Sequence, residues 1–220
     1  MRVLEAVELY RFYHAEEEET LALRGVSIHI EEGELVAVMG PSGSGKTTLL
    51  ACLAGLDEPD GGFVILKGAR LTRRPESERA AHRAADIGIL LQSDNLISQL
   101  SIEDNVRLQM RLAHKVDETW LNQLITLVGL KERRWAYPSQ LSGGEAARAG
   151  LAVALAAAPK LLLADEPTGE VDAATEADIL RLFEARRKNG DATLVATHSR
   201  ALAERADRIV HLFDGRIVDG

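Results

Sequence analysis

Short apolar runs alternate along the chain with segments whose apolar positions have helical spacing. Residues 35–39 form a continuous apolar run closed by a glycine, which is typical of a strand buried on both faces. Residues 161–164 and 193–197 are two further runs of this kind, and helical patterns occupy 47–55 and 173–188. Strand, helix and strand in this order predict a mostly parallel sheet covered by helices.

Three shorter segments have a different pattern, in which apolar and polar residues alternate. They lie at 3–10, 26–30 and 63–66, and they predict an antiparallel sheet at one side of the parallel one. Residues 102–157 are mostly of helical pattern and contain no convincing strand. This stretch is predicted to be a helical lobe inserted into the α/β part of the protein.

These elements predict a single α/β domain that spans residues 1–220. We expect 1–87 and 158–220 to form a core with a mostly parallel sheet and an antiparallel β-subdomain, and 88–157 to form a helical subdomain. A chain of 220 residues has the size of one such domain.

The composition indicates what fills the core. Hydrophobic residues make up 46% of the chain but aromatic residues only 4%, so aliphatic side chains must provide most of the packing. In the helix predicted at 173–188, we expect Ile179, Leu180 and Phe183 to face the core. The one cysteine, Cys52, lies in a predicted apolar helix, where a small buried hydrophobe is the expected role.

Charge narrows the range of partners. The formal net charge is -8, which argues against broad binding to the phosphate backbone of DNA or RNA. The acidic run at 16–19 is interpreted as a solvated loop tip.

The sequence shows no export signal and no membrane span. The N-terminus carries Glu5 and Glu8 where a secretory signal has a basic start and an apolar stretch. The longest apolar run, 149–158, is far shorter than the roughly 20 residues that a membrane helix needs. We therefore expect a soluble, cytoplasmic protein whose contact with a membrane depends on a partner.

A phosphate-binding loop lies between the first predicted core strand and its helix. Residues 40–47 read Gly-Pro-Ser-Gly-Ser-Gly-Lys-Thr and fit the pattern G-x-x-x-x-G-K-[ST]. The glycines allow several N–H groups to point at one anion, Lys46 supplies charge for the β- and γ-phosphates, and Thr47 offers a hydroxyl to Mg²⁺. The alternative interpretation is a Gly/Ser-rich turn with an incidental lysine. The strand predicted before the motif and the helix predicted after it favour the phosphate loop. The residues expected to hold the phosphates are Gly40, Pro41, Ser42, Gly43, Ser44, Gly45, Lys46, Thr47 and Thr48.

Two acidic residues end another predicted strand, where α/β proteins bind ligands. We expect Asp165 to hold Mg²⁺ and Glu166 to orient and polarise the attacking water. His198 follows the strand at 193–197, from which it could donate a hydrogen bond to the γ-phosphate. Two acids after a strand also serve as helix caps, and a lone histidine is often structural. The phosphate loop earlier in the chain favours the hydrolytic interpretation.

A second anion-binding element lies far from the first in the sequence. Residues 141–145 read Leu-Ser-Gly-Gly-Glu at the start of a predicted helix, whose N-terminal N–H groups favour an anion. One chain has little use for two such elements on one triphosphate. Two chains that face each other can use both.

With these motifs in this order, the sequence resembles an ABC ATPase domain over essentially its whole length. It resembles the Walker A motif at 40–47, the Walker B motif at 161–165 and the signature motif at 141–145. Gln92 stands where the family has its Q-loop glutamine, and 169–172 resembles the D-loop. The resemblance implies a P-loop NTPase core with an antiparallel β-subdomain and an inserted helical subdomain, the ABC ATPase fold.

The resemblance also implies roles for individual residues, with ATP and Mg²⁺ as the bound groups. Tyr13 is the aromatic residue that stacks on adenine, and Tyr10 is the alternative. The implied catalytic residues are Glu166, His198 (the switch histidine), Lys46 and Gln92; the implied metal ligands are Thr47, Gln92 and Asp165; and the further nucleotide contacts are Ser142, Gly143, Gly144, Glu145 and Asp172.

Within the family, the sequence is most similar to the ATPases of lipoprotein release, macrolide export and cell division. The similarity lies in 23–27, 137–145 and 164–169, and 179–183 is similar to the cell-division member. The chain departs from the family in having alanines where two glutamines usually follow the signature, and a serine where an aspartate usually follows the histidine. These departures, Ala146, Ala147 and Ser199, do not touch the phosphate-binding atoms, so we expect activity to persist and its rate and coupling to change.

The resemblance implies an ATP-hydrolysing subunit of a membrane transporter or of a related force-transmitting complex. ATP closes a homodimer, and a separate transmembrane permease receives the motion at the surface around Gln92. The protein is then peripheral on the inner face of the cell membrane, with no nucleic-acid partner. The alternatives are a soluble ABC ATPase that acts on nucleic acid or ribosomes and a scaffold that hydrolyses ATP poorly. Steady ATPase activity that rises with a membrane partner separates the three.

Overall fold

The computed structural model describes residues 1–15, 18–169 and 171–218, which form ten strands and seven α-helices. The strands are β1 Arg2–Ala15, β2 Glu18–Glu31, β3 Leu35–Met39, β4 Gly61–Leu66, β5 Ala69–Arg70, β6 Ile87–Leu90, β7 Leu161–Asp165, β8 Ala192–Ala196, β9 Arg208–Phe213 and β10 Arg216–Val218. The helices are α1 Lys46–Leu53, α2 Glu76–Asp86, α3 Ile102–Leu112, α4 Glu118–Leu127, α5 Gly143–Leu155, α6 Ala173–Lys188 and α7 Arg200–Ala203. Two short 3₁₀ turns, Lys131–Arg133 and Pro138–Gln140, lie between α4 and α5.

The central sheet has six strands in the order β10-β9-β3-β8-β7-β6. β9, β3, β8, β7 and β6 run parallel, and only β10 is antiparallel to its neighbour. Every residue of β7 and β8 is buried, as a strand covered by helices on both faces requires. The predicted mostly parallel α/β core is confirmed.

The second sheet is antiparallel and has the order β2-β1-β4-β5. The three alternating segments predicted for it lie within β1, β2 and β4, but β1 and β2 are longer than predicted. The acidic run at 16–19 is only partly the loop tip that we expected, because Glu18 and Glu19 belong to β2 and pair with Ala15 and His14. Glu16 and Glu17 lie outside the described residues.

Helices α3, α4 and α5 form the part of the chain predicted to be helical. Val106, Met110, Leu121, Leu124 and other apolar side chains of these helices are fully buried in one hydrophobic cluster with residues of the central sheet. Helix α5 contacts β6, and α3 and α4 pack on α5. Strand β6 pairs with β7 up to Leu90, so the expected boundary between 87 and 88 falls inside a strand of the central sheet. We propose that the helical subdomain begins after Leu90.

Two expectations about the core can be compared with the structure. In α6, Ile179 and Phe183 are buried as predicted, but Leu180 is only half-buried and Leu182 takes its place in the core. Cys52 in α1 is fully buried, and its burial raises the pKa of the thiol to about 12, so it behaves as a small hydrophobe. Within the described ranges, no helix combines the length and the apolarity that crossing a membrane requires.

Candidate functional site

The phosphate loop crosses from the end of β3 to the start of α1 and is confined by close backbone contacts. Gly45 has φ of 102°, and a Cβ there would lie 2.5 Å from the carbonyl oxygen of Ala22. A Cβ on Gly40 would lie 2.0 Å from the carbonyl oxygen of Leu212. Only glycine fits these two places, so the loop conformation follows directly from the motif.

Lys46 extends its ammonium group across the loop. Its Nζ donates to the carbonyl oxygens of Gly40 at 2.8 Å and Pro41 at 3.1 Å, and lies 3.3 Å from Nε2 of His198. Carbonyl groups supply dipoles and no formal charge, so the positive charge of this largely buried side chain is not neutralised by these partners. A triphosphate is the kind of ligand that this charge attracts.

The loop also contains a buried polar atom that has no partner. The hydroxyl of Ser44 is buried and makes no hydrogen bond within the described part of the chain. Buried hydroxyl groups in native proteins are nearly always hydrogen-bonded, so an unpartnered one indicates a missing ligand. A phosphate oxygen accepts such a hydrogen bond, and the residues present therefore fit a bound phosphate.

Hard oxygen ligands for a divalent cation lie at the start of α1 and the end of β7. The hydroxyl of Thr47 donates to Oδ2 of Asp165 at 2.7 Å, and Asp165 is buried. Gln92, in the exposed loop after β6, lines the same cleft. The described residues contain no cluster of three acidic, histidine or cysteine ligands. This set suits Mg²⁺, which in phosphate sites takes one or two protein ligands and completes its shell with phosphate oxygens and water.

Glu166 is the first residue after β7 and is held in an unusual backbone conformation, with φ of 47°. Its Oε2 accepts hydrogen bonds from the hydroxyl of Thr197 and the N–H of His198, both at 3.2 Å. Its Oε1 is buried, makes no hydrogen bond to a described residue, and lies 3.5 Å from Nε2 of His198. One oxygen is therefore held by two donors, and the other has no hydrogen-bond donor among the described residues.

These groups share one cleft of about 470 Å³ at the carboxyl edge of the parallel strands. All six residues predicted to be catalytic or to bind the metal ion line it, together with part of the phosphate loop. Its walls also include 20–22, Arg24, Asp214 and Gly215, which belong to none of the predicted site motifs. The candidate residues brought together here are Tyr13, Ser42, Gly43, Gly45, Lys46, Thr47, Thr48, Gln92, Asp165, Glu166 and His198.

The two tyrosines that are candidates for base stacking lie in different places. Tyr13 lines this cleft and is 39% exposed. Tyr10 lies outside it, with its ring over Gly25 and Gly61. Of the two tyrosines, Tyr13 is therefore the one that borders the same cleft as the phosphate loop, and its stacking on a base stays a prediction.

The signature residues lie outside the phosphate-loop cleft, and Gly143 lines a neighbouring cleft that Gln92 and Glu166 also border. The hydroxyl of Ser142 accepts from the N–H of Glu145 at 3.2 Å, and the Glu145 carboxylate accepts from the N–H of Ser142 at 2.9 Å, so the two cap the start of α5 reciprocally. Among the described residues, 142–145 do not line the phosphate-loop cleft. Gly143 and Gly144 have no side chains that could cover the N–H groups at this helix start. An anion can therefore approach these groups.

The D-loop segment caps the next helix. Asp172 accepts the N–H of Thr175 at 2.8 Å at the start of α6, and Arg148 of α5 donates to the Thr175 hydroxyl at 2.7 Å. Asp172 does not line the phosphate-loop cleft, and Glu170 lies outside the described residues. The D-loop end and the signature helix are thus joined to each other.

The departures from the family pattern have different surroundings. Ala146 and Ala147 line a second cleft of about 670 Å³, which Gln92 and Glu166 also border. Ser199 caps α7, since its hydroxyl accepts the N–H of Leu202 at 3.3 Å. An aspartate caps a helix in the same way, so Ser199 preserves that structural role.

The comparisons with known proteins agree with this geometry. The family described as ABC transporter matches residues 23–169. An uncharacterised ABC transporter ATP-binding protein of Methanocaldococcus jannaschii is 39% identical over 99% of this chain and 98% of the relative. A lipoprotein-releasing system ATP-binding protein of Hyphomonas neptunium is 38% identical over 99% of this chain and 97% of the relative. A dimeric ATP-binding cassette in a post-hydrolysis state with ADP and Pi superposes with a TM-score of 0.93 and 31% identity over 98% of this chain and 97% of that chain.

Proposed function

The chain belongs to the ABC transporter family and is an ATP-binding, ATP-hydrolysing subunit of that kind, and we propose that both steps take place in the phosphate-loop cleft. The observation that supports this most is the convergence of a buried ammonium, a hydroxyl–carboxylate pair and a carboxylate with one free oxygen on one cleft. These groups match the needs of phosphoryl transfer to water: charge, a cation site and a base.

Each residue then has a defined task. Lys46 and the loop N–H groups bind the β- and γ-phosphates, and Thr47, Asp165 and Gln92 hold Mg²⁺, which neutralises phosphate charge when bound. Glu166 orients the attacking water and takes its proton at Oε1. His198, whose ring reaches both Lys46 and Glu166, donates to the γ-phosphate.

The protein works as an ATP-dependent homodimer coupled to a separate transmembrane permease. The dimeric cassette with ADP and Pi and the relatives named as transporter subunits support this assembly. The placement of 142–145 away from their own chain's phosphate loop supports the same assembly, because each signature is then available to the partner's nucleotide. We place the protein on the cytoplasmic face of the membrane, held there by the permease.

Replacement of the loop lysine tests the phosphate site directly. Lys46→Ala removes the ammonium group that donates to Gly40 and Pro41, so the dissociation constant for ATP should rise about ten- to a hundred-fold, as for the loss of a charge-assisted hydrogen bond. Isothermal titration with Mg²⁺-ATP measures it. Lys160→Ala, which loses only an exposed ion pair with Asp191, is the control. Unchanged affinity in Lys46→Ala contradicts the phosphate-loop assignment.

The base-binding role is tested with the two tyrosines. Tyr13→Ala should raise the dissociation constant for ATP at least several-fold and change kcat less, since base–aromatic stacking contributes about 1–3 kcal/mol in nucleic-acid complexes. Tyr10→Ala is the matched comparison. If only Tyr10→Ala weakens ATP, the choice of Tyr13 is wrong.

A further inference from the structure

Two charged residues, Arg11 and Asp57, contact the Tyr13 side chain. Arg11 lies two residues earlier in β1, and its guanidinium carbon is 4.8 Å from the centroid of the Tyr13 ring. Tyr13 lines the phosphate-loop cleft, whereas Arg11 and Asp57 are not among the described residues that line it. The Tyr13 side chain therefore contacts a cation and also borders the cavity.

Asp57 connects both side chains. Its Oδ2 accepts the Tyr13 hydroxyl and the Nε of Arg11, each at 2.8 Å, and its Oδ1 pairs with the terminal nitrogen of Arg11 at 2.8 Å. Asp60 binds Arg11 through a further nitrogen at 3.1 Å and accepts the N–H of Phe12 at 2.8 Å. The guanidinium is thus fixed by two carboxylates, and the phenol by one of them.

The same carboxylate connects the ring to the phosphate loop. Asp57 follows α1 closely, and its N–H donates to the carbonyl oxygen of Ala51 in that helix at 3.1 Å. Helix α1 begins at Lys46, so Asp57 is attached to the element whose first turn completes the phosphate loop. The position of the Tyr13 ring relative to that loop is set through Asp57.

We propose that Asp57, together with Arg11, is a positioning residue that fixes the Tyr13 ring as a stacking surface for the purine base of the nucleotide. The proposal rests on the proposed function, in which Tyr13 meets the base and the loop meets the phosphates. A ring held in one rotamer loses little conformational freedom when a base stacks on it. The hydrogen bond from Tyr13 to Asp57 therefore raises the affinity for the nucleotide although Asp57 does not contact it. Ligands that contain phosphate but no base gain nothing from it.

Two conservative variants test this role. Tyr13→Phe keeps the aromatic face and loses the hydroxyl that binds Asp57, and Asp57→Asn removes the charge that the two donors share. We expect the dissociation constant for ADP to rise about two- to ten-fold in each, the cost of fixing one freed side chain on binding. Binding of inorganic tripolyphosphate should stay at the wild-type value. Isothermal titration measures both ligands.

Matched controls separate this role from a general effect on the loop. Glu58→Gln removes the same charge from the neighbouring position, where the carboxylate pairs with Arg79 at 2.7 Å; it should bind ADP like the wild type. The double variant Tyr13→Phe/Asp57→Asn should bind ADP no more weakly than the weaker-binding single variant, because both changes remove the same Tyr13–Asp57 interaction.

The results that overturn the proposal are distinct from those that overturn the proposed function. Wild-type affinity for ADP in Tyr13→Phe and Asp57→Asn overturns it, and so does an equal loss of tripolyphosphate affinity, which places the effect on the loop. If Asp57→Asn does not fold, Tyr13→Phe decides alone, since it removes one oxygen from a side chain at the cleft mouth. A wild-type protein that binds neither ligand removes the proposed function, and this inference with it.

Discussion

Glu166→Gln should bind ATP with near wild-type affinity and hydrolyse it about 10²- to 10⁴-fold more slowly, the range for loss of a general base. The physical reason lies in the two oxygens of the carboxylate. The side-chain oxygen of glutamine can still accept from Thr197 and the N–H of His198, so the backbone and the phosphate loop keep their geometry. The amide group that replaces Oε1 cannot take a proton from water.

Two measurements are needed: the affinity for ATP by titration, and the steady-state rate of phosphate release. Glu204→Gln is the control, because it replaces the same carboxylate by an amide on an exposed side chain. A separation of unchanged affinity from lost turnover is the expected result. Near-normal turnover in Glu166→Gln removes this residue from the catalytic role and returns the choice of base to the other groups of the cleft.

The phosphate loop was predictable because its information is local. Gly40 and Gly45 meet backbone oxygens at distances that exclude any side chain, so the eight-residue motif and its flanking strand and helix determine the loop together. The buried strands were predictable for a similar reason, since continuous apolar runs of this length suit a doubly covered sheet.

The supports of the site were not predictable in this way. Thr197 binds Glu166 across two strands that are 31 residues apart in sequence, and Asp57 binds Tyr13 across 44 residues. Neither pair has a spacing that indicates contact, because strand order and loop paths decide it. In α6, the sequence prediction placed Leu180 in the core, which was wrong, because the buried face of the helix contains Leu182 instead.

The second prediction concerns the signature motif as part of the partner's site. Gly143→Asp places a carboxylate at the first position of α5, where negative charge is favourable to the helix itself, so the fold should not suffer. If the γ-phosphate of the partner's ATP meets this helix start, the same charge repels it. ATPase activity should then fall about a hundred-fold or more, as for loss of a donor to a transferring group.

Mixing two inactive variants tests whether the site is shared. A dimer of Lys46→Ala with Gly143→Asp contains one site with an intact phosphate loop from one chain and an intact signature from the other. With random pairing of equal amounts, about a quarter of wild-type activity should return if the two sites act independently. Each variant alone stays inactive. Two copies of one variant mixed with each other are the control.

Dimer formation checks the same idea without turnover. Glu166→Gln with saturating Mg²⁺-ATP should elute as a dimer in size exclusion and as a monomer without nucleotide, because each protomer carries a net charge of -8 and repels its partner until ATP bridges them. Adding Gly143→Asp to Glu166→Gln should abolish the dimer while leaving ATP binding to the monomer unchanged, since 142–145 do not line the chain's own phosphate-loop cleft. A double variant that still dimerises shows that the signature does not meet the partner's γ-phosphate. A single Glu166→Gln variant that stays monomeric with ATP, with or without the permease, contradicts the shared site altogether.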